Sequence, residues 1–237
     1  MERATRIVEY LLHAGKEYIA LMHIHKEMPE ISIRDMFEKY TGKIRQLPPI
    51  RSSVRRKMRS RNIYYIEVLE IDEKDVLFKV GCEAGTYVRK YCHDFGQSLG
   101  CGAHMAELRR TKAGPFNEST LVTLHDLADA YWYYKNEKNE KLIRKIIQPI
   151  ESALFMPKIW VNDSAVEPLC HGTNLMIPGI VKFNSKINKD DTVAVLTLKD
   201  ELVCLGKSLM TCEEIKKEKK GIAVNVNKVF MLPGIYK

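Results

Sequence analysis

The sequence predicts an α+β protein of two domains: a mixed-sheet α/β domain over residues 1–156, followed by a small β-rich domain over residues 157–237. Its 237 residues are enough for two domains of ordinary size, and 45% of them are apolar, which suffices for packed cores. Helical and strand periodicities alternate up to Pro149 and Pro157. From Lys158 onward short strands and tight turns replace them, so the change of pattern predicts the domain boundary.

The first elements of the larger domain are a helix, a strand and a second helix. An apolar stripe near the N-terminus predicts the first helix, which Gly15 would close in a left-handed conformation. Residues 18–24 then show the pattern of a strand. Ser32 and Asp35 have the spacing of a capping box, which indicates that a second helix opens there and ends at Gly42.

Two paired strands, a helix and a third strand follow. Residues 63–71 and 76–82 alternate on either side of a short polar turn, which is typical of paired strands. Apolar residues over 88–99 fall at helical spacing, and residues 104–111 predict a strand.

The rest of the chain combines two helices with the β-rich domain. Thr123 and Asp126 predict a capping box, and residues 141–148 a short amphipathic helix. Thr211 and Glu214 predict a second capping box, on the one short helix expected in the β-rich domain. The strands predicted there cover residues 159–161, 175–183, 192–198, 201–210 and 222–230, with a hairpin turn at Lys199-Asp200.

Charge and hydropathy narrow the class of protein. The formal net charge of +8 indicates a polyanionic partner or an unspecific basic surface, and charge alone does not separate nucleic acid from membrane. No apolar run approaches the ~18 residues that a membrane-spanning helix needs, and the N-terminus lacks the pattern of a signal peptide. We therefore predict a cytoplasmic protein that does not engage a membrane.

Cysteine and histidine spacing does not predict a metal site. The six cysteines include no Cys-x-x-Cys pair, and several lie in apolar patterns, which favours reduced core residues. His23 and His25 would face the same side of a strand, but no cysteine or carboxylate accompanies them at ligand spacing.

The run from Glu83 to Arg89 contains the most informative residues. The periodicity changes from strand to helix at Gly85, so Arg89 falls in the first turn of a helix. A cation there is unfavourable to the helix dipole, which suggests that Arg89 serves a site that holds an anion. A surface arginine without a function is the alternative.

A basic segment follows the second helix and contains no acidic residue. Such a segment suits a phosphate backbone, since arginine and lysine neutralise phosphates and a flexible loop adapts to RNA. A solvated, disordered loop is the alternative. The segment is predicted to be a loop as far as residue 61, and its cationic residues are Arg45, Arg51, Arg55, Arg56, Lys57, Arg59 and Arg61.

Two tyrosines are candidates for stacking on a base. Tyr18 begins a predicted strand, and Tyr87 lies in the glycine turn beside Arg89. Aromatic residues usually serve cores, so packing is the alternative for either one. Near a basic loop and a basic turn, however, stacking on an extruded nucleotide becomes a reasonable hypothesis.

Five motifs in a fixed order give the chain a family resemblance that extends from residue 2 to about residue 233. It resembles the RNA-guided pseudouridine synthases of the dyskerin type in their archaeal form, which are related to the bacterial TruB tRNA enzymes. The motifs are Lys16-Glu17-Tyr18, Pro48-Pro49-x-Arg51-Ser52-x-Val54, Ala84-Gly85-Thr86-Tyr87-Val88-Arg89, Gly102-Ala103-His104-Met105-x-Glu107-Leu108-Arg109-Arg110-Thr111 and His171-Gly172-x3-Leu175-x2-Pro178-Gly179-Ile180.

The resemblance implies a pseudouridine synthase domain and a β-rich PUA domain that grips RNA. In such enzymes an aspartate attacks a flipped uridine, the uracil is released and rotated, and C5 is joined to the ribose, without a metal or cofactor. By motif match, Tyr18 would stack on the base and help to remove its C5 proton. Tyr87 and Leu108 would line the base pocket, and Arg89 would pair with the nucleophilic carboxylate.

The resemblance also implies partners. The basic loop would correspond to a thumb that contacts RNA and an accessory protein, and His171 and Gly172 would contribute to RNA binding in the PUA domain. The expected partners are an H/ACA guide RNA, a target rRNA or tRNA, and small H/ACA accessory proteins.

One departure from the family pattern concerns the nucleophile. Its aspartate would lie in a Gly-Thr-Leu-Asp-Pro segment before the first helix, and this sequence starts at that helix, so we expect an N-terminally truncated catalytic domain. Asp94 would lie about 140° around the helix from Arg89 and is no obvious replacement. Arg89 would then be a buried cation without a partner. The alternatives are a non-catalytic RNA-binding scaffold and a stand-alone tRNA enzyme of the TruB type.

Overall fold

The computed structural model describes residues 3–50 and 54–236, which form two compact units. One unit comprises residues 9–121, and the other comprises residues 3–8 together with residues 122–236. The α+β class is confirmed, because each unit combines helices with a β-sheet. The border at 156/157 stays a prediction.

The unit of residues 9–121 is built on a six-stranded sheet with the order β2-β3-β4-β1-β5-β6. Adjacent strands in this sheet are antiparallel. The elements, from a first helix that begins just before the unit, are α1 (Val8–His13), β1 (Lys16–Ile24), α2 (Glu30–Lys39), β2 (Gly42–Gln46), β3 (Arg59–Asp72), β4 (Asp75–Cys82), α3 (Val88–Leu99), β5 (Ala103–Ala113) and β6 (Phe116–Asn117).

Helices α2 and α3 contribute to a core on one face of this sheet. The alternation of β1 places its even-numbered residues toward the helices, and Ala20, Met22 and Ile24 are fully buried there. An aromatic group joins the helices to the sheet, with ring centroids 4.5 Å apart for Phe37 and Phe95 and 5.0 Å apart for Phe37 and Phe78. The core therefore fixes α3 against the strand that carries Tyr18.

The other unit contains a helical hairpin and a second six-stranded sheet with the order β8-β12-β11-β10-β7-β9. Strands β7 and β10 are parallel, and the other pairs are antiparallel. Its elements are α4 (Leu124–Glu137), α5 (Lys141–Ile146), β7 (Lys158–Val161), α6 (Asp163–Cys170), β8 (Leu175–Met176), β9 (Ile180–Phe183), β10 (Thr192–Leu196), β11 (Leu202–Ser208), α7 (Cys212–Lys217) and β12 (Ile222–Val229).

Several sequence-predicted elements are confirmed. The strands expected around residues 18–24, 63–71, 76–82 and 104–111 are present as β1, β3, β4 and β5. Both capping boxes, at Thr123 and Thr211, have their reciprocal hydrogen bonds. All six cysteines are free, and five of them are buried, as expected for reduced core residues.

Other expectations are wrong at helix ends. Gly15 is not left-handed, because β1 starts at the next residue and the Gly15 carbonyl accepts a hydrogen bond from the Gly114 N–H. The capping box at Ser32 is absent: α2 begins earlier, after Pro29, and the Ser32 N–H donates to the Pro29 carbonyl within the first turn.

Prolines account for two further differences. The strand predicted over residues 175–183 is broken into β8 and β9 by a short 3₁₀ turn at Ile177–Gly179 that contains Pro178. Helix α6 was not predicted, because it is short and contains Pro168. Its sequence signal is the Asn162 side chain, which accepts a hydrogen bond from the Ala165 N–H.

Candidate active site

The turn between β4 and α3 presents Arg89 as the sequence predicts. Gly85 has φ of +80°, a conformation that favours glycine, and the Thr86 hydroxyl donates to the Glu83 carbonyl at 2.7 Å. Helix α3 starts at Val88 with no acidic residue in its first turn. Arg89 thus lies at the positive end of a helix dipole without a compensating carboxylate from that turn.

A glutamine that the sequence analysis did not single out holds this turn. Gln46, at the end of β2, is 2% exposed. Its Oε1 accepts a hydrogen bond from the Tyr87 N–H at 3.0 Å, and its Nε2 donates to the Tyr87 carbonyl at 3.2 Å. The only hint in the sequence is that a glutamine immediately precedes the Leu47-Pro48-Pro49 segment.

Tyr18 lies near the start of β1, opposite Val80 of β4 and Arg110 of β5. It is half-buried and packs against the core. Burial raises the pKa of its phenol, the nearby Cys82 thiol adds to that effect, and Arg110 opposes it. The Tyr18 phenol is therefore neutral at pH 7.

Leu108 shares the face of the sheet that carries Tyr18. The register pairs Leu108 with Ala20 and Arg110 with Tyr18, so all four side chains point to the same side. Register shifts interrupt the β1–β5 pairing on both sides of this segment, and such bulges commonly re-aim side chains near functional sites. Leu108 is 42% exposed, which leaves an apolar surface available beside Tyr18.

Tyr18 and the turn that bears Tyr87 lie at the end of the sheet where β1 starts and β4 ends. Lys16, at the start of β1, is paired with Cys82, at the end of β4, and with Ala113, at the end of β5. The turn to α3, which carries Tyr87 and precedes Arg89, leaves from this same end, and Tyr18 lies two residues into β1. Leu108 lies farther along β5, opposite Ala20.

Arg89 itself differs from one expectation. It is solvent-exposed rather than buried, and within residues 3–50 and 54–236 no hydrogen bond or ion pair engages its guanidinium. The destabilisation expected of a buried, unpaired cation therefore does not apply. The exposed guanidinium is accessible to an anion that approaches the end of the sheet.

The basic segment is partly strand rather than wholly loop. Arg45 belongs to β2, whereas Arg59 and Arg61 belong to β3, because the antiparallel pairing continues to the pair Gln46 and Arg59. We define the basic loop as residues 47–58. Within it the side chains of Arg55, Arg56 and Lys57 are exposed, and Arg51 lies outside the described residues.

Arg59 and Arg61 carry unused hydrogen-bonding capacity. Each has a buried Nε without a hydrogen-bond partner among the residues that the structure describes. Arg61 also donates to the Glu83 carboxylate at 3.3 Å, and its guanidinium lies over Gly85, where an added Cβ would come within 3.0 Å of Nη2. Arg61 thus contacts the turn before α3, and its predicted contact with RNA stays a prediction.

His171 and Gly172 belong to the other unit, at the end of α6. His171 is exposed, and its Nε2 lies 3.2 Å from the Glu167 carboxylate. Gly172 has φ of +87° and open space around the position of a Cβ. Both residues are accessible at the surface, and their predicted contact with RNA stays a prediction.

His23 in β1 and His25, which follows the strand, pair with other groups. His25 Nε2 lies 3.0 Å from His104 Nδ1, and His23 Nδ1 lies 2.7 Å from the Asp75 carboxylate. Over the described ranges, no group of three or more histidine, cysteine, aspartate or glutamate side chains is placed to hold a metal ion. In the same part of the chain, no helix is both long enough and apolar enough to cross a membrane.

Comparison with family models agrees with the order of the two domains. Residues 89–155 match the model of the tRNA pseudouridylate synthase B C-terminal domain, and residues 157–230 match the PUA domain model. Residues 2–107 match a third model, described as the C-terminal part of Pus10.

Individual relatives match almost the whole chain. The probable tRNA pseudouridine synthase B of Pyrococcus abyssi is 58% identical over 233 residues, which are 98% of this chain and 70% of that protein. The protein of the same description from Methanosarcina barkeri is 51% identical over 235 residues, covering 99% of this chain and 70% of its own length.

Two solved structures also match almost the whole chain. A chain in a Cbf5-Nop10-Gar1 complex superposes with a TM-score of 0.93 at 54% identity, covering 99% of this chain and 72% of that one. A chain in an H/ACA ribonucleoprotein bound to a substrate RNA that contains 2′-deoxyuridine gives a TM-score of 0.91 at 51% identity, with the same coverage.

The fold and these matches define an RNA pseudouridine synthase, an isomerase, with a PUA domain. The chain belongs to the tRNA pseudouridine synthase B family, and it spans about 70% of the length of the curated relatives. The resemblance predicted from the five motifs is confirmed.

Proposed function

We propose that this chain converts uridine to pseudouridine in RNA as the catalytic subunit of an H/ACA guide ribonucleoprotein. One observation carries the proposal: the chain superposes over 99% of its length on a chain from an H/ACA particle bound to substrate RNA. The side chains of Tyr18, Tyr87, Leu108 and Arg89 are of the types that this reaction needs.

Tyr18 and Leu108 are proposed to hold the flipped uracil. Both lie on one face of the sheet, and the exposed Leu108 side chain offers an apolar surface at the edge of a base. The neutral phenol of Tyr18 suits stacking and hydrogen bonding. Because its pKa is raised, Tyr18 would assist removal of the C5 proton only together with a stronger acceptor. Tyr87 would close the pocket from the turn before α3.

Arg89 is proposed to hold a nucleophilic aspartate, which the family resemblance expects in a Gly-Thr-Leu-Asp-Pro segment that these 237 residues do not contain. An exposed guanidinium pairs well with a carboxylate and keeps it ionised for attack. The carboxylate bonds to C1′ as the glycosidic N1–C1′ bond breaks, the uracil rotates, and the carboxylate leaves C1′ as the C5–C1′ bond forms. C5 loses a proton and N1 gains one, so the reaction is an isomerisation that balances without a metal or cofactor.

The remaining predicted residues are proposed to bind RNA. The exposed cations of the basic loop would follow phosphates of the guide and target RNA, and His171 and Gly172 would contact RNA from the PUA domain over residues 157–237. Small accessory proteins of the kind present in the Cbf5-Nop10-Gar1 complex would complete the particle. A cytoplasmic location is part of the same proposal.

Tritium release tests the reaction. Guided substrate RNA that carries uridine labelled at C5 is incubated with guide RNA, accessory proteins and the full-length product of the gene, and release of label to solvent is followed. We expect guide-dependent release from the full-length protein and none from these 237 residues alone. Turnover by the 237 residues alone would contradict the assignment of the nucleophile to a segment outside them.

Two other functions have specific support and are separated by the same assay. The exposed cations of the basic loop and the PUA domain also suit a non-catalytic RNA scaffold, which would bind guide RNA but release no label even at full length. The description of the curated relatives as tRNA pseudouridine synthases favours a stand-alone tRNA enzyme, which would release label from isolated tRNA without guide RNA.

A further inference from the structure

The two strands that carry the basic loop are both anchored to the turn that carries Tyr87 and Arg89. The loop leaves β2 after Gln46 and enters β3 at Arg59, and these two residues form the last pair of the β2–β3 ladder. Gln46, the last residue of β2 before the basic loop, is therefore the residue that hydrogen-bonds to the Tyr87 backbone.

The geometry of the Gln46 contact is that of a peptide group. Its amide oxygen accepts from the Tyr87 N–H, and its amide nitrogen donates to the carbonyl of the same residue, as one strand does for another. The Tyr87 N–H precedes α3, and the helix itself supplies no acceptor for it. Of the described residues in the unit of residues 9–121, Gln46 is the one buried residue with an amide or charged side chain.

Strand β3, which follows the basic loop, contacts the other end of the same turn. The Glu83 N–H donates to the Asn62 carbonyl at 2.8 Å, and the Asn62 N–H donates to the Glu83 carboxylate at 3.0 Å. Arg61 adds its ion pair with Glu83. The segment from Glu83 to Tyr87 is thus clamped at its start by β3 and at its end by β2.

We propose that Gln46 is a positioning residue that couples the basic loop to the turn bearing Tyr87 and Arg89, so that RNA seated on the loop sets the placement of these two residues. The proposal rests on the proposed function, since it concerns the same uridine site. Gln46 touches neither substrate nor nucleophile in this scheme. A shift of about 1 Å at the turn is enough to lower a rate by on the order of 100-fold.

Gln46→Met in the full-length protein, assembled with guide RNA, tests the coupling. Methionine conserves the volume and removes both hydrogen bonds. We expect the single-turnover rate constant for tritium release to fall by roughly 10- to 100-fold, while the Kd for guide and substrate RNA stays within about twofold. Gln97→Met is the matched control, because Gln97 is exposed on α3, and it should behave as the unchanged protein.

Two outcomes would overturn the proposal: an unchanged rate constant in Gln46→Met, or equal losses of RNA affinity and rate, which indicate a merely structural residue. Amide hydrogen exchange of the unchanged 237-residue chain decides the question even if the variant does not fold. Added H/ACA guide RNA should slow exchange at the Tyr87 amide by about 10-fold, and the effect should vanish in R55A/R56A/K57A. Identical exchange with and without RNA refutes the coupling, whereas a full-length protein without turnover refutes only the proposed function.

Discussion

Replacement of Arg55, Arg56 and Lys57 by alanine should weaken RNA binding and flatten its dependence on salt. All three side chains are exposed in the basic loop. The fold should survive the change, because alanine keeps the Arg55 backbone carbonyl, which accepts hydrogen bonds from the Lys57 N–H at 3.0 Å and from the Arg59 guanidinium at 3.5 Å.

The magnitude follows from counterion release. Each phosphate contact contributes a slope of about 0.9 in a plot of log K against log salt if helical RNA behaves as duplex DNA does. Loss of three contacts therefore lowers the slope by up to about 2.7. Between 50 and 200 mM salt, the unchanged protein would lose roughly 40-fold more affinity than the triple variant.

Fluorescence anisotropy with labelled guide RNA, measured over a series of salt concentrations, gives both slopes. The matched control removes three exposed lysines from α4 and α5, Lys135, Lys141 and Lys145, and so produces the same change of net charge. We expect the control to retain the slope of the unchanged protein. Equal slopes for the loop variant and the unchanged protein would show that the loop does not touch phosphate.

Three further predictions concern the turn, its glycine and the opposite face of the sheet. Arg89→Ala in the full-length enzyme should keep RNA binding and lower turnover by at least about 100-fold, as expected for a group that acts on a reacting carboxylate. Gly85→Ala should cost ~1–2 kcal/mol in denaturant unfolding, since φ is +80°, and at least as much as Gly100→Ala, where φ is +78° in open space. Tyr65→Phe should raise the pKa of Glu17, because the Tyr65 hydroxyl is the main cause of its lowered value. The folded-state pKa of Glu17 lies below its ordinary value of 4.5. The unchanged protein should therefore be more stable than Tyr65→Phe above pH 4.5, and this difference should disappear as the pH falls through the folded-state pKa.

Each of these predictions has a result that would contradict it. Equal losses of RNA affinity and turnover in Arg89→Ala would indicate a structural role. A smaller cost for Gly85→Ala than for Gly100→Ala would show that the neighbouring guanidinium moves freely out of the way. An NMR titration in which the pKa of Glu17 is the same with and without the Tyr65 hydroxyl would remove the basis for the pH-dependent stability.

The fold was predictable where a local pattern coincides with the element. β1, β4 and α3 each bury one face, so the spacing of their apolar residues is enough to identify them. β2 was missed because an edge strand of five residues with two cations carries little pattern. Helix α2 shows the limit of a local signal: Ser32 and Asp35 match a capping box, yet the helix starts one turn earlier behind Pro29.

The candidate site was predictable to a similar extent. The placement of Arg89 in the first turn of α3 follows from a change of period at Gly85, a local property. The clamp by Gln46 joins residues 41 positions apart, and no periodicity in one sequence reports such a contact. The contact between Arg61 and Glu83 likewise joins residues that are 22 positions apart, and it distinguishes Arg61 from the exposed cations of the loop.

Two cations, Lys16 and Arg110, lie near each other at the end of the sheet, and an anion should be attracted there. Burial and the neighbouring Arg110 both lower the pKa of Lys16, so positive charges there already disfavour one another. The nearby carboxylates are in use: Glu17 accepts from Tyr65 and Thr111, and Glu83 from β3. An RNA phosphate or an aspartate brought close to Lys16 and Arg110 would offset the repulsion between these two cations. Binding of the anion should therefore raise the pKa of Lys16.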